Sequence, residues 1–148
     1  MKIIDIKTQD IRFPTSKDNL GTDAVHVDCD YSATYVTIFT DQKDLTGIGL
    51  TFTIGKGNDL CCTVIEYFKE FIIGKNVEEI EKDIASIWEK ITNHSQLRWV
   101  GPQKGVTHLA AAAFFNAIWD LISKFHKKPL WRYICLLYTS DAADDIPR

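Results

Sequence analysis

The sequence predicts an α+β domain in which a three-stranded antiparallel meander is followed by a bundle of helices. In the first third of the chain, apolar residues recur with a period near two in segments rich in Val, Ile, Thr, Tyr and Phe, a pattern typical of strands. Beyond residue 53 they recur about every 3.6 residues, which is typical of amphipathic helices. Strands followed by helices make an α+β unit.

The first predicted strand covers residues 3–13. Ile6 and Ile11 are an odd number of positions apart, so they would point to opposite faces of a regular strand. A β-bulge near residues 8–10 is expected to bring both side chains onto one face. Two further segments of strand composition are joined by a short connection, which predicts a hairpin. They cover residues 33–40 and 46–53.

Two loops should emerge from the same end of this sheet, because they bracket the three strands: residues 15–31 and 53–58. The first is longer than the roughly 15 residues beyond which a structureless connection is usually functional or disordered. Three glycines supply the backbone freedom that lids use: Gly21, Gly55 and Gly57. Asp23 and Tyr31 could hydrogen-bond a polyhydroxylated ligand, although an ordinary solvated loop stays open as an alternative.

The first predicted helix begins at Asn58 or the aspartate after it, either of which could be its N-cap, and stops at Gly74. It should bury one apolar stripe: Leu60, Val64, Phe68 and Ile72. A second helix over residues 77–91 should bury Trp88 and four isoleucines. The charged residues of that helix, Glu81 among them, are interpreted as a solvated face.

A long helix is predicted over residues 104–126, and Pro129 fits the first turn of a further helix that begins at Leu130. Four consecutive alanines, residues 110–113, remove side-chain bulk over a turn of the long helix, so that a large neighbour can approach it closely. That neighbour is either the first half of this chain or a partner outside it.

The composition is typical of one soluble domain, with 148 residues of which 45% are hydrophobic and 25% charged. Because 17 basic and 20 acidic residues leave a net charge of −3, there is no electrostatic footprint for nucleic acid. The sequence shows neither a leader-like start nor a stretch near the roughly 20 apolar residues of a membrane span. These observations favour a cytoplasmic protein without a membrane partner.

Motifs for catalysis or metal binding are not visible. The four histidines lack the H-E-x-x-H spacing and the four cysteines lack a Cys-x-x-Cys pair, so we predict neither a metal site nor a disulfide framework. The glycines within residues 49–57 are spaced too far apart for a phosphate-binding loop, and no nucleophile elbow occurs. The motifs therefore give no support for nucleophilic catalysis.

The segment after Ile134 departs from the helical pattern. Back-translated, CLLYTSDAAD, residues 135–144, matches the read-through of a transposase-type sequencing adapter, a kind of segment to exclude before the fold is interpreted. We therefore expect a native domain of residues 1–134 and a non-native tail of residues 135–148, with a genuine flexible acidic tail as the alternative.

Several segments carry a resemblance to a known family: IRFPTS, GTDAVHVDCDYSATYV, GIGLTFTIGKGN, QLRWVGPQKGVTHLAAAA, and NAIWDL with KPLW. Together they are similar to the N-terminal capping domain of the enolase superfamily, of the mandelate racemase/muconate lactonizing enzyme type. The lid sequence and the R-W-x-G-P-x-K-G-V connection resemble the L-fuconate dehydratase branch, which includes the mitochondrial enolase superfamily member. The resemblance covers about residues 1–134.

In that family the domain caps a (β/α) barrel, so the resemblance implies that a barrel missing from this chain supplies the Mg²⁺ ligands and the acid–base residues. It implies dehydration of an acid sugar, L-fuconate first of all, to a 2-keto-3-deoxy acid and water. Matched position by position, it assigns substrate contacts to Gly21, Thr22, Asp23 and Tyr31, with Thr22 replacing an expected alanine.

The resemblance also implies that this fragment alone is inactive and that the alanines of the long helix pack on the barrel. The full-length protein would be a homo-oligomer, and mitochondrial if its source is eukaryotic. Two other functions stay open: a free-standing module that binds a sugar acid through the same loops, and another acid-sugar dehydratase or racemase of the superfamily. A free-standing module should have a polar outer face on the long helix, whereas Phe114, Phe115 and Trp119 are apolar.

Overall fold

The computed structural model describes residues 1–100 and 105–144, with side chains as far as residue 137. Its strands and α-helices follow the order β1 (Ile3–Arg12), β2 (Ser32–Thr40), β3 (Thr46–Thr53), α1 (Asn58–Phe68), α2 (Val77–Lys82), α3 (Ile84–Thr92), α4 (Val106–Phe125) and α5 (Leu130–Asp144). The strands pair antiparallel in the order β1-β2-β3, which confirms the predicted meander and α+β class. The described residues form no (β/α) barrel.

The irregularity of β1 lies at the start of the strand and not near residues 8–10. Pairing with β2 shifts between Ile3 and Asp5 and is regular from there to the end of the strand. The shift turns Ile3 and Ile6, three residues apart, into the core, where both are buried. The predicted bulge position was wrong because Ile11 is only half-buried and does not have to share their face.

α4 lies directly on the backbone of β3. A β-carbon built on Gly47 would lie 2.2 Å from the carbonyl oxygen of Ala117, and one on Gly49 would lie 2.2 Å from that of Ala113. Small residues of both elements therefore face each other, as close packing of a helix on a strand requires. The apolar side chains of β3 point to the outer face of the sheet, where they are between 43% and 54% exposed: Ile48, Leu50 and Phe52.

The alanines of residues 110–113 thus have their neighbour within this chain. Ala110, Ala111 and Ala113 have no exposed surface, whereas Ala112 faces outward. The expectation that this stripe packs on a missing barrel was wrong for Ala110, Ala111 and Ala113, because these three are already buried within this domain.

Polar side chains on a neighbouring face of α4 cover the free edge of β3. The backbone N–H of Ile48 donates to Asp120 Oδ2 at 2.8 Å. Lys124 Nζ donates to the carbonyl oxygen of Thr46 at 3.0 Å and lies 2.6 Å from Asp120 Oδ2. An unpaired strand edge is a template for association with other chains, so these contacts dock α4 and also satisfy part of that edge.

The helix predicted over residues 77–91 is two helices, α2 and α3, which meet at Asp83. The backbone of Asp83, with φ −105° and ψ 12°, leaves the helical region. Each short helix thereby buries its own pair of apolar side chains: Val77 with Ile80, and Ile87 with Ile91. Trp88, predicted to be buried, is 41% exposed. The predicted start of the long helix at residue 104 lies outside the described residues.

α1 buries a stripe that differs from the predicted one in its first turn. Leu60 is 56% exposed, whereas Cys61 is completely buried. The reason is that Asn58 itself faces the core. The buried face of α1 therefore contains Asn58 and the residues three and six positions after it, Cys61 and Val64. Burial raises the pKa of Cys61 to about 11, so its thiol is protonated at neutral pH and packs as a small apolar group.

α4 has the length and composition of a membrane span, contrary to the expectation from the sequence. Its apolar window has a mean hydropathy of 1.3, and 56% of that window is buried inside the fold. The central helix of a compact core passes the same test, because it is apolar on several faces at once. Packing on β3 therefore explains its apolar character.

α2, α4 and α5 meet at a partly buried polar cluster formed by Glu81, His126 and Tyr133. The Tyr133 hydroxyl donates to Glu81 Oε1, and His126 Nε2 lies 3.0 Å and 2.9 Å from the two Glu81 oxygens. Burial raises the pKa of the Glu81 carboxyl, but the hydrogen bonds from Tyr133 and His126 outweigh it and leave the pKa below its ordinary value. Glu81 was thus wrongly predicted to be solvated, because a partner 52 residues away is not visible in the local pattern.

Tyr133→Phe should lower the free energy of unfolding by about 1–2 kcal/mol, because a largely buried carboxylate loses a donor. The loss should be present at pH 7 and shrink as the pH falls through the folded-state pKa of Glu81, which lies below its ordinary value, because the carboxyl is then protonated. Urea unfolding at several pH values measures it. Tyr67→Phe, at a tyrosine that is 55% exposed, is the control and should change stability by less than about 0.5 kcal/mol. Equal losses in both variants would contradict the prediction.

α5 begins at Leu130, directly after Pro129, as predicted. Its first turn is anchored by Tyr133, which is 4% exposed. The described side chains that follow are more exposed, with Leu136 at 45% and Leu137 at 42%. The helical backbone extends to Asp144, whereas the anchor of the helix lies before residue 135.

Candidate functional site

The two predicted loops emerge from the same end of the sheet. Ser32 of β2 pairs there with the last residues of both β1 and β3. Directly beyond it, the N–H of Asp30 donates to the carbonyl oxygen of Ile54 at 3.3 Å, which links the first loop to the second. We call residues 15–31 the lid loop and residues 53–58 the second loop.

A cleft of about 470 Å³ lies between the lid loop and the second loop. Groups of both charges line it, together with a hydroxyl: Arg12, Ser16, His26, Asp28, Asp30 and Lys56. Binding sites for polar molecules orient their ligands with a small number of such groups. The chemistry of this lining suits a ligand with several hydroxyls and a carboxylate.

The structure brings together two of the four predicted contact residues, Gly21 and Tyr31. Gly21 has φ +76°, a backbone conformation that favours glycine, and a β-carbon there would lie 2.3 Å from Cζ of Tyr31 and displace the ring. The Tyr31 ring packs edge-on against Phe52 of β3, with 5.4 Å between the ring centroids. Tyr31 still keeps 44% of its surface exposed, so a supported ring faces solvent beside the lid.

Thr22 and Asp23 use their side chains within the lid loop. The Thr22 hydroxyl donates to the carbonyl oxygen of Asn19 at 3.2 Å. Asp23 Oδ1 accepts the backbone N–H groups of Val25 and His26, each at 2.7 Å, and His26 Nδ1 lies 3.2 Å from Oδ2. The N–H groups of His26 and Val25 hold the pKa of Asp23 below its ordinary value. These two side chains therefore shape the turn that presents the backbone of residues 21–23.

Of the two glycines predicted to give the second loop its freedom, only Gly55 uses it. Gly55 has φ +117°, whereas Gly57 has φ −81° and ψ −12° and is the N-cap of α1. Asn58, predicted as a possible cap, is instead the first helical residue. Its side chain bonds to groups outside α1 and turns towards the sheet.

Asn58 joins the sheet end to the second loop, a role that the sequence analysis missed. It is completely buried, and its Nδ2 donates to Asp10 Oδ1 at 2.8 Å and to the carbonyl oxygens of Ile11 at 3.1 Å and Ala33 at 3.2 Å. Its Oδ1 accepts the hydroxyl of Thr53. One signal could have indicated this role, because Asn58 lies on the same helical face as the buried residues that follow it.

Arg12 carries the charge of the cleft on the β1 side. Its Nε and Nη2 donate to both oxygens of Asp10 at distances from 2.7 to 3.0 Å. The hydrogen bond from this guanidinium holds the pKa of Asp10 below its ordinary value. Asp59, on α1, lies 3.4 Å from Nη2, so Arg12 bridges β1 and α1 at the mouth of the cleft.

Comparison with known proteins agrees with this fold. Residues 22–135 match the family described as mandelate racemase/muconate lactonizing enzyme, N-terminal domain. The chain is 47% identical over 134 residues to mitochondrial enolase superfamily member 1 of Xenopus laevis, and 45% identical over 132 residues to L-galactonate dehydratase of Hypocrea jecorina. These alignments cover 90% and 89% of this chain but 30% and 29% of the relatives.

The crystal structure of human mitochondrial enolase superfamily member 1 superposes with a TM-score of 0.82 at 43% identity, covering 89% of this chain and 30% of that chain. The chain thus spans about 30% of the length of the relatives that it matches. Since the family match, the relatives and the fold agree, this chain belongs to the mandelate racemase/muconate lactonizing enzyme family of the enolase superfamily, as its N-terminal capping domain.

Proposed function

We propose that this domain is the capping and substrate-selecting part of an acid-sugar dehydratase, with L-fuconate as the preferred substrate. In the proposed reaction a base on a barrel removes the proton α to the carboxylate. The β-hydroxyl then leaves as water, and the product is a 2-keto-3-deoxy acid. The observation that carries the proposal is the contact of Gly21 with the supported ring of Tyr31, next to a polar cleft that the lid loop and the second loop form together. Gly21, Thr22, Asp23 and Tyr31 do not themselves line this cleft.

The relatives support the class of substrate. L-galactonate dehydratase of Hypocrea jecorina, 45% identical, is named for an acid sugar that differs from L-fuconate by one hydroxyl at C6. Both compounds offer the same arrangement of hydroxyls near the carboxylate. We infer that Tyr31 and the backbone of Gly21, Thr22 and Asp23 contact this substrate, and that these contacts distinguish one acid sugar from another.

The described residues do not fit the Mg²⁺ that the family implies. Among residues 1–100 and 105–137, no three His, Cys, Asp or Glu side chains are grouped so that they could hold a metal ion. We propose, from the family resemblance, that a barrel supplies the Mg²⁺ ligands and the acid–base residues, and we assign no catalytic or metal-binding role to this chain. The homo-oligomeric state and the cytoplasmic location stay predictions.

A chimera tests the proposed function. Residues 1–134 of this chain would replace the matching domain of the Hypocrea jecorina enzyme, and kcat/KM would be measured with Mg²⁺ on L-fuconate, L-galactonate and other acid sugars. We expect dehydration, with L-fuconate preferred, and no product from the 148-residue chain alone. A folded chimera that dehydrates none of these acids would overturn the dehydratase assignment, and preference for another acid would overturn the choice of L-fuconate. Activity of the isolated chain would contradict its assignment as a non-catalytic cap.

Tyr31→Phe should lower kcat/KM of the chimera about tenfold, as expected for the loss of one hydrogen bond to the substrate. The ring and its contact with Phe52 are kept, so thermal stability should not change. Tyr35→Phe, on β2, is the control and should leave kcat/KM unchanged. If Tyr31→Phe is as active as the unchanged chimera, the Tyr31 hydroxyl does not contact the substrate.

We also infer that residues 135–148 are not native to this domain. The match to the family ends at residue 135, and the buried anchor of α5, Tyr133, precedes that position. Sequencing the genomic DNA tests this inference. A reading frame that continues unbroken from Ile134 through Asp144 in the genome would overturn it.

A further inference from the structure

The two ends of the lid loop are joined by side-chain hydrogen bonds that neither the sequence motifs nor the proposed contacts explain. The Thr15 hydroxyl donates to the carbonyl oxygen of Cys29 at 3.2 Å and accepts the backbone N–H of Tyr31 at 3.0 Å. Asp30 Oδ1 accepts both the backbone N–H of Ser16 at 3.1 Å and its hydroxyl at 2.7 Å. We call these five residues the lid neck.

The lid neck is also attached to the rest of the domain. The N–H of Asp30 donates to Ile54 in the second loop, and the carbonyl oxygen of Asp30 accepts the hydroxyl of Ser32 at 2.7 Å. Inside the lid, the N–H of Leu20 donates to the carbonyl oxygen of Thr15 at 3.0 Å. The neck therefore connects the tip of the lid loop, the second loop and the end of β2.

The lid neck holds Tyr31 directly. The N–H of Tyr31 is bound by Thr15, while its ring lies between Gly21 and Phe52. A change in the neck must therefore move the backbone of Tyr31 or release it, and the ring contact with the lid tip would change with it. The charged form of Asp30 fits this role, because the Ser16 hydroxyl and N–H hold the pKa of Asp30 below its ordinary value.

We propose that Thr15, Ser16 and Asp30 are positioning residues that hold the lid loop as one ordered unit and thereby fix Tyr31 for substrate selection. The positioning of Tyr31 is a structural statement about this chain, whereas its consequence for selection rests on the proposed function. Thr15 does not line the cleft, whereas Ser16 and Asp30 also line it, so Thr15 is the residue whose substitution tests positioning alone.

Amide hydrogen exchange of the 148-residue chain tests the positioning. Thr15→Val, which keeps the shape but loses the hydroxyl, and Asp30→Ala should each speed exchange of residues 17–31 by about tenfold. Exchange of β2 and β3 beyond residue 32 should not change. Thr15→Ser and Asp30→Asn keep the hydroxyl and the accepting oxygen, so both should restore slow exchange.

Thr63→Val is the matched control. Among the described residues, the Thr63 hydroxyl donates only to the carbonyl oxygen of Asp59, within its own helix. It should leave the lid unchanged. The proposal is overturned if Thr15→Val and Asp30→Ala leave lid exchange unchanged. It is also overturned if the conservative variants fail to restore slow exchange, or if the whole domain exchanges faster along with the lid.

Kinetics of the chimera separate this proposal from the proposed function. Thr15→Val should raise KM for the acid sugar about fivefold and change kcat less than twofold, because the lid is misplaced while the reacting groups of the barrel are intact. An inactive parent chimera would overturn the proposed function while the exchange result still decides the role of the neck. An active chimera whose KM does not respond would overturn the link between the neck and selection.

Discussion

Asn58→Asp is expected to lower the free energy of unfolding by about 4 kcal/mol at pH 7, because it buries a carboxylate that faces three acceptors and keeps the Thr53 hydroxyl as its donor. The Asn58 amide now donates to Asp10 and to two strand carbonyls, Ile11 and Ala33. An introduced carboxyl would face these three acceptors, and Asp10 carries a negative charge. Urea unfolding followed by circular dichroism measures the loss.

The pH dependence of this variant has a definite sign. Burial and the charge of Asp10 would raise the folded-state pKa of the introduced carboxyl above its unfolded value of about 3.9. Relative stability is therefore retained below about pH 4, where the carboxyl is protonated in both states, and is lost as the pH rises through the folded-state pKa. The difference from the parent chain should accordingly be larger at pH 7 than at pH 4.

Asn93→Asp is the control for this substitution. Asn93 is exposed and donates to Glu89 Oε2 at 2.6 Å, so the same chemical change occurs in water beside a like charge. Its cost should be about 0.5 kcal/mol. If both substitutions cost the same, Asn58 does not organise the sheet end in the way proposed.

Gly49→Ala is expected to cost about 3 kcal/mol, although alanine is favoured over glycine in most contexts. A β-carbon at Gly49 would lie 2.2 Å from the carbonyl oxygen of Ala113 and 2.4 Å from the backbone nitrogen of Ala117. Both neighbours are backbone atoms of α4, so no side chain can rotate away to make room. The helix would have to move off β3, and the buried alanine contacts would be lost with it.

Gly57→Ala provides the matched control. Gly57 has a helical backbone conformation, and a β-carbon there would meet Thr53 at an ordinary 3.5 Å. This substitution should change stability by less than about 1 kcal/mol, and it is stabilising if the reduced entropy of the unfolded chain dominates. Thermal unfolding of both variants distinguishes the positions. A Gly49→Ala protein as stable as Gly57→Ala would contradict the direct contact of α4 with β3.

The sequence was sufficient for most of the fold, because the period of the apolar residues identifies each element. The hairpin, the start of α5 and the pairing of two loops at one sheet end all followed from this periodicity. Errors arose where a face had to be chosen. In α1, Leu60 was predicted to lie in the buried stripe, yet it is 56% exposed and Cys61 is buried, because Asn58 faces the core.

The candidate site was predictable only in part. Gly21 and Tyr31 were identified through their match to a family motif, and the structure places them in contact. The roles of Asn58 and Glu81 were missed, because each depends on partners distant in the sequence. Local patterns classify an asparagine near a helix start as a cap and a glutamate in a charged run as solvated.

The amino-acid sequence by itself determined the α+β class, the order of strands and helices and the family resemblance, since these depend on local periodicity and on motifs. Only the tertiary structure decided which surface the alanines of α4 cover, what holds the lid loop, and where the buried polar groups find their partners. The physical reason is that close packing and hydrogen-bond satisfaction depend on distances between residues far apart in the chain. Hydrophobic periodicity carries no information about those distances.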